Sequence, residues 1–188
     1  VANTQLKKFD GYNQQHNAEE DTELTHVDRG TPCGEYLRRF WHPIALSSEL
    51  GELPLSIRIL SEDMVLFRDR SGRIGLLHLR CSHRNTSLEY GIIEERGIRC
   101  CYHGWHYDVD GTILETPGEP ARNRIKDRLC HGAYPTHEFA GIIFAYMGPP
   151  EELPEFPIFD SWIHPDDNQL VPYKIFNPCN WLQSHENG

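Results

Sequence analysis

The sequence predicts a mainly β protein of antiparallel strands, on three observations. Its apolar runs are short and partly alternating: Ile44 to Ser47, Leu55 to Leu60, Met64 to Arg68 and Ile74 to Leu79, a pattern that fits half-buried strands rather than helices. Turn-forming residues separate such runs, among them Asp69-Arg70-Ser71-Gly72 and the hairpin dipeptide Asp110-Gly111. Before residue 150, helical periodicity is carried by one short stretch, Cys33 to Phe40.

Composition sets the outer limits. The 188 residues are enough for one substantial domain and part of another, and 38% hydrophobic with 11% aromatic residues supports a packed core. A formal charge of −10 with no basic block argues against nucleic acid or an anionic membrane as partner. No apolar run reaches the length of a membrane span, and no signal peptide is read at the start, so a cytoplasmic protein is expected. Cysteines stand at 33, 81, 100, 101, 130 and 179. Their even number does not make a disulfide framework, because two lie beside histidines and the chain is not small. Cys33, Cys130 and Cys179 read as ordinary reduced thiols, most of them buried.

Taken in order, residues 1 to 22 are polar, amide-rich and acidic, which predicts a tail with His16 and His26 in solvent. Thr31-Pro32 reads as an N-cap followed by proline at the first helical position. The amphipathic stretch beyond it carries Tyr36, Leu37 and Phe40 on one face. Arg38 and Arg39 lie on another, free for a neighbouring subunit or an acidic partner. The four apolar runs from 44 to 79 read as a meander. Gly91 to Cys100 reads as a hairpin turning at Gly97, and Tyr107 to Leu114 as a second. A Pro/Gly-rich loop follows, then strands near Ala133 to Phe139 and Gly141 to Met147. Gly148-Pro149-Pro150 and the connector EELPEFP mark a boundary. The organisation read is 1–40 (tail and short helix), 41–150 (β domain) and 151–188 (the start of a further domain).

The chemistry gathers at Cys81-x-His83, sixteen residues, then Cys100-x-x-His103. Thiolate and imidazole together signal a metal centre. Zinc sites usually pair Cys with Cys and His with His locally. Here each arm mixes the two, as a binuclear cluster with two Cys on one iron and two His on the other requires. His78 precedes Cys81 by three residues but ends a predicted strand, which makes it a structural residue.

The segment CSHRNTSLEYGIIEERGIRCCYHGWHYDVDG resembles the Rieske iron–sulfur motif. The flank GTPCGEYLRRFWHPIAL is similar to large (alpha) subunits of ring-hydroxylating oxygenases, in their phthalate dioxygenase-like branch. The resemblance implies a Rieske-type antiparallel β-sandwich with cluster-binding hairpin loops and a short N-terminal helix. Residues 151–188 would then be the truncated start of an α+β catalytic domain. It implies a [2Fe–2S] cluster with Cys81 and Cys100 on one iron and His83 and His103 on the other. Arg84 follows the family's Cys-x-His-Arg, Tyr107 matches a tyrosine that hydrogen-bonds a ligand sulfur, and Trp105 resembles the indole that shields the cluster. Trp105 and Tyr107 equally suit a plain aromatic core. Cys101 reads as a bystander, and Asn85 replaces the family's usual glycine. The respiratory-type Rieske proteins add a cysteine in each loop and a serine after His-Gly. The first loop here has no second cysteine and Trp105 takes the serine's place, which implies a potential near the low end, about −150 mV.

As partners the resemblance implies an NADH-dependent flavin/iron–sulfur reductase, a neighbouring alpha subunit in a homotrimer, and a small aromatic substrate that is dihydroxylated or demethylated. The mononuclear Fe(II) would belong only to the full-length protein, with no catalytic residue in this chain. His185 lies too early to be its ligand. The alternatives are a stand-alone Rieske-type ferredoxin and a zinc-binding structural module.

Overall fold

The computed structural model describes residues 8, 9, 12, 19–120, 122–163 and 168–186. His16, Asn187 and Gly188 lie outside them. The first helix, α1 (Thr22–Thr25), was not expected from its polar composition; the Asp21 carboxylate caps it by accepting from the Glu23 N–H at 3.1 Å. The predicted helix, α2, covers Pro32–Leu37, with the Thr31 hydroxyl oxygen accepting from the Gly34 N–H at 3.1 Å. Its faces are the reverse of the expected ones. Tyr36 and Phe40 are exposed, whereas Arg38 is buried. The Arg38 guanidinium pairs with Glu62 at 2.8 Å and donates to the Leu60 carbonyl at 3.0 Å, partners that make its burial tolerable. Arg39 pairs with Glu152.

Eleven strands follow among the described residues. They are β1 (Trp41–Leu46), β2 (Leu55–Ile59), β3 (Glu62–Arg68), β4 (Ile74–His78), β5 (Ile92–Ile93), β6 (Ile98–Arg99), β7 (His106–Tyr107), β8 (Ile113–Glu115), β9 (Ala133–Tyr134), β10 (Thr136–Phe139) and β11 (Ile142–Tyr146). They form three antiparallel sheets, ordered β1-β11-β10, β2-β3-β4-β9 and β5-β6-β7-β8. Both predicted hairpins are present, and Gly97 turns the first at φ 76°, where a Cβ would sit 1.9 Å from the Tyr107 carbonyl oxygen.

Two pairings depart from the reading of local sequence. The meander holds for β2 to β4, but β1 pairs with the last strand, Leu46 opposite Ile142 and His42 opposite Ala145. The expected strand from 133 to 139 is cut at Pro135. Its first part joins β4 (Leu77 opposite Ala133) and its second joins β11 (Phe139 opposite Ile142). Proline has no N–H for a ladder, so the chain changes sheets there.

Strand alternation then divides the interior in two. Val65, Phe67 and Leu77 face Leu88, Ile98, Trp105, Tyr107 and Ile113. Met64, Leu66 and Leu76 face the other way, onto Ile143, Ala145 and Met147. The central sheet is thus buried on both sides, each large apolar side chain contributing about 1.5–3 kcal/mol.

Beyond Pro149 the described residues join no sheet, and aromatic and polar contacts hold them. Phe156 stacks on His137 at 4.0 Å, and Trp162 stacks on Phe139 at 5.1 Å. Residues 168–178 form no strand or helix, and Tyr173, Ile175 and Phe176 are exposed. The one α-helix described in this region is α3 (Trp181–Glu186). Trp181 Nε1 donates to the Leu24 carbonyl at 3.1 Å and the Asn180 amide donates to the Thr25 carbonyl at 3.0 Å. Among the described residues no helix is long and apolar enough to cross a membrane.

Candidate metal centre

Two loops at one end of the β domain carry the candidate ligands. The first leaves β4 and closes on itself: the Cys81 N–H donates to the Thr86 carbonyl, and the Asn85 N–H to the Cys81 carbonyl, both at 2.9 Å. Asn85 takes φ 58°, a conformation asparagine tolerates better than most residues, so the loop keeps its shape without the glycine. The second loop links β6 to β7. Its Cys100 N–H donates to the Trp105 carbonyl at 2.8 Å, and its Gly104 N–H to the Cys100 carbonyl at 3.1 Å. Each loop therefore has a cysteine at its neck and a histidine near its tip.

The four side chains converge as two like pairs. Cys81 and Cys100 are buried at 1% and 3% exposure. Burial pushes the Cys100 thiol up, the Tyr102 N–H opposes, and the adjacent Cys81 sulfur adds to the rise. A metal cation would supply the charge that favours the Cys100 thiolate. The His83 and His103 rings lie 4.7 Å apart. His83 Nδ1 is buried with no hydrogen-bond partner among the described residues, an inward-facing lone pair suited to a metal. No three His, Cys, Asp or Glu side chains among the described residues are grouped about one point. Two thiols and two imidazoles, arranged as separate pairs, fit a two-iron cluster.

Trp105 is buried and stacks on His83, centroids 4.9 Å apart and planes 3° apart. The Tyr107 hydroxyl lies 3.0 Å from Cys81 Sγ; burial pushes its pKa well up, so the phenol keeps its proton and would donate to a metal-bound Cys81 thiolate. Arg84 is exposed and makes no hydrogen bond or ion pair among the described residues. Cys101 and Tyr102 are also exposed. All six cysteines are free, and of the three others only Cys33 is buried. A groove of about 820 Å³ between Leu50–Leu53 and Tyr90–Ile93 does not include the four residues.

An ionic clasp that sequence reading passed over fixes the second loop. Arg73 bridges Asp69 and Asp108, 2.8 Å from each, and Asp108 also takes Arg96 Nε at 2.7 Å. Asp69 accepts from the Gly97 N–H at 3.1 Å, joining the β3–β4 turn to the β5–β6 hairpin. Burial acts to raise both carboxyls, but these hydrogen bonds outweigh it and hold them below the usual range. Asp69 had read as a turn former and Asp108 as part of a hairpin; nothing in local spacing marks them as partners.

A sequence profile of the Rieske [2Fe-2S] domain matches residues 40–138. The chain belongs to the Rieske family. The Rieske chain is 53% identical over 173 residues to the "Tert-butanol monooxygenase / tert-amyl alcohol desaturase oxygenase subunit" of Aquincola tertiaricarbonis, covering 92% of this chain and 37% of that protein. It is 40% identical to the "Phthalate 4,5-dioxygenase oxygenase subunit" of Pseudomonas putida, covering 88% of this chain and 38% of that one. A crystal structure of dicamba monooxygenase with non-heme iron and dicamba superposes with a TM-score of 0.61 at 28% identity, over 70% of this chain and 40% of that one. The chain thus spans about two fifths of the length of these relatives. They are oxygenase proteins, not free-standing ferredoxins, and the phthalate branch expected from the flanks is among them.

Proposed function

We propose that this chain is the electron-relay part of an oxygenase, with Cys81 and Cys100 holding one iron of a [2Fe–2S] cluster and His83 and His103 the other. The observation that carries the reading is the inward, partnerless Nδ1 of His83 beside His103, two residues from the buried Cys81. The cluster supplies one-electron storage at a potential set by its histidines and by hydrogen bonds to its sulfurs. The protein's own part is positional. Cys81 and Cys100 sit at loop necks fixed by backbone hydrogen bonds, Tyr107 donates toward Cys81 Sγ, and Trp105 covers one face of His83.

Electrons would come from an NADH-dependent reductase or a ferredoxin in the cytoplasm and leave through a histidine to a mononuclear Fe(II) site in a neighbouring alpha subunit of a homotrimer. The half-exposed imidazoles and the exposed Tyr102 beside them support an exit at this end of the domain. Residues 1–40, 41–150 and 151–188 would be arm, Rieske domain and the beginning of the oxygen-activating domain. The substrate of the whole protein would be a small organic molecule, an aromatic acid in the phthalate manner or a compact alcohol in the tert-butanol manner.

The test is metal and sulfide content with EPR of the dithionite-reduced chain. Two irons, two sulfides and a rhombic signal of low average g are expected. A colourless protein with one zinc per chain would remove the reading.

A further inference from the structure

Behind Tyr107 lies a buried histidine that neither ligand loop contains. His131 is 4% exposed and precedes β9. Its own N–H donates to the Gly111 carbonyl at 2.8 Å, tying it to the β7–β8 turn. Its Nε2 lies 2.8 Å from the His78 carbonyl oxygen. A carbonyl only accepts, so Nε2 carries the hydrogen. Burial pushes this imidazole's pKa down, which keeps it neutral and leaves Nδ1 as a bare acceptor. The Ser82 hydroxyl, 2.6 Å away, donates to it. Ser82 directly follows Cys81, whose Sγ lies 3.0 Å from the Tyr107 hydroxyl. The His131 ring also lies along the Tyr107 ring, centroids 4.5 Å apart and planes 34° apart.

One chain of contacts therefore runs from the His78 carbonyl to His131, and from there both to Ser82, next to Cys81, and through the ring of Tyr107 to the Cys81 sulfur. We propose that His131 is a positioning residue for electron transfer: by holding Ser82 and bracing Tyr107 it sets the hydrogen bond to Cys81, and with it the cluster's reduction potential. The inference rests on the relay reading above. A hydrogen bond to a ligand sulfur stabilises the more negative, reduced cluster, and each link in such a chain polarises the next. His131 is thus placed to raise the potential without touching the metal.

The experiment is a redox titration of the reduced-cluster EPR signal in the cluster-loaded chain and its variants. His131→Phe keeps a ring against Tyr107 but loses both hydrogen bonds. It should lower the reduced-to-oxidised ratio at fixed poise about tenfold, ~59 mV for a one-electron couple. Ser82→Ala, on the exposed loop, should shift it the same way and less. The two together should shift no further than His131→Phe alone, since they break one chain. His131→Asn keeps an acceptor near the Nδ1 position and should stay near wild type, whereas His131→Gln keeps only the reach to the His78 carbonyl and should fall. If His131→Phe does not fold, Ser82→Ala and the Asn/Gln pair decide the matter. Variants that carry the signal at the wild-type midpoint, or Asn and Gln shifted alike, would overturn the inference and leave the relay reading intact. A wild-type chain without the signal would overturn both.

Discussion

The two sides of the central sheet make opposite use of the same strands. On one side Met64, Leu66 and Leu76 meet Ile143, Ala145 and Met147 in a purely apolar contact. On the other, Val65, Phe67 and Leu77 meet Trp105 and Tyr107, and the layer includes the thiols of Cys81 and Cys100. The first side is held chiefly by that packing, with the Arg68–Glu138 pair at 2.8 Å and the Thr136 hydroxyl donating to the Ile74 carbonyl at 3.1 Å along its edge. The second sits beneath two loops of almost no regular structure, and polar pins hold it: the Asp69–Arg73–Asp108 clasp, and the hydrogen bonds that close each loop. Apolar packing is non-directional and tolerates small shifts, whereas a metal site needs its ligands fixed to fractions of an ångström. Directional bonds are therefore concentrated on the side that needs them.

The largest effect should come from breaking the second side at a proposed ligand. Cys81→Ala should abolish the visible absorbance and EPR signal completely; a full-strength signal in this variant would remove Cys81 from the site. Next, Leu66→Ala on the aliphatic side should cost about 3 kcal/mol by denaturant unfolding, through the cavity it leaves, with the redox midpoint unchanged. A shifted midpoint would show that the two sides are not independent.

Asp108→Asn should cost about 2 kcal/mol, below the range for wholly buried pairs because Arg73 and Arg96 are half exposed and return to water. It should also alter the acid limb. Both clasp carboxyls are depressed, so their contribution is complete above the unfolded value, about pH 3.9, and is lost as pH falls through the lower folded values. Stability of the Asn variant should fall less steeply below pH 4 than that of wild type, followed by circular dichroism. An unchanged slope would count against the clasp. Smallest in stability is Tyr107→Phe, about 1 kcal/mol. Its midpoint should nonetheless drop while unfolding barely moves, the converse of Leu66→Ala.

Much of this second side could be read before any coordinates. Cys81, His83, Cys100 and His103 declare themselves by residue type and spacing, and Gly97 and Asp110-Gly111 by turn chemistry. Tyr107 and Trp105 were open between core and site; both are buried, with Trp105 stacked on His83 and the Tyr107 hydroxyl 3.0 Å from Cys81 Sγ. Arg38 was misjudged because helical periodicity reports which residues share a face, not which face is inward. Asp69, Asp108, Ser82 and His131 were missed for one reason: the bonds that join them across the fold, Asp69 to Gly97, Asp108 to Arg73 and Ser82 to His131, span 28 to 49 residues of chain.

The sequence by itself determined the β class, both hairpins, the capped helix and the cluster type, because each depends on local backbone preference or on ligand chemistry within a short span. Tertiary structure alone decided that β1 closes on β11, that Pro135 passes the chain between sheets, and that His131 stands behind Tyr107. Those outcomes follow from which apolar faces find each other once the strands assemble, a choice that costs chain entropy over long separations and leaves no mark on any local stretch.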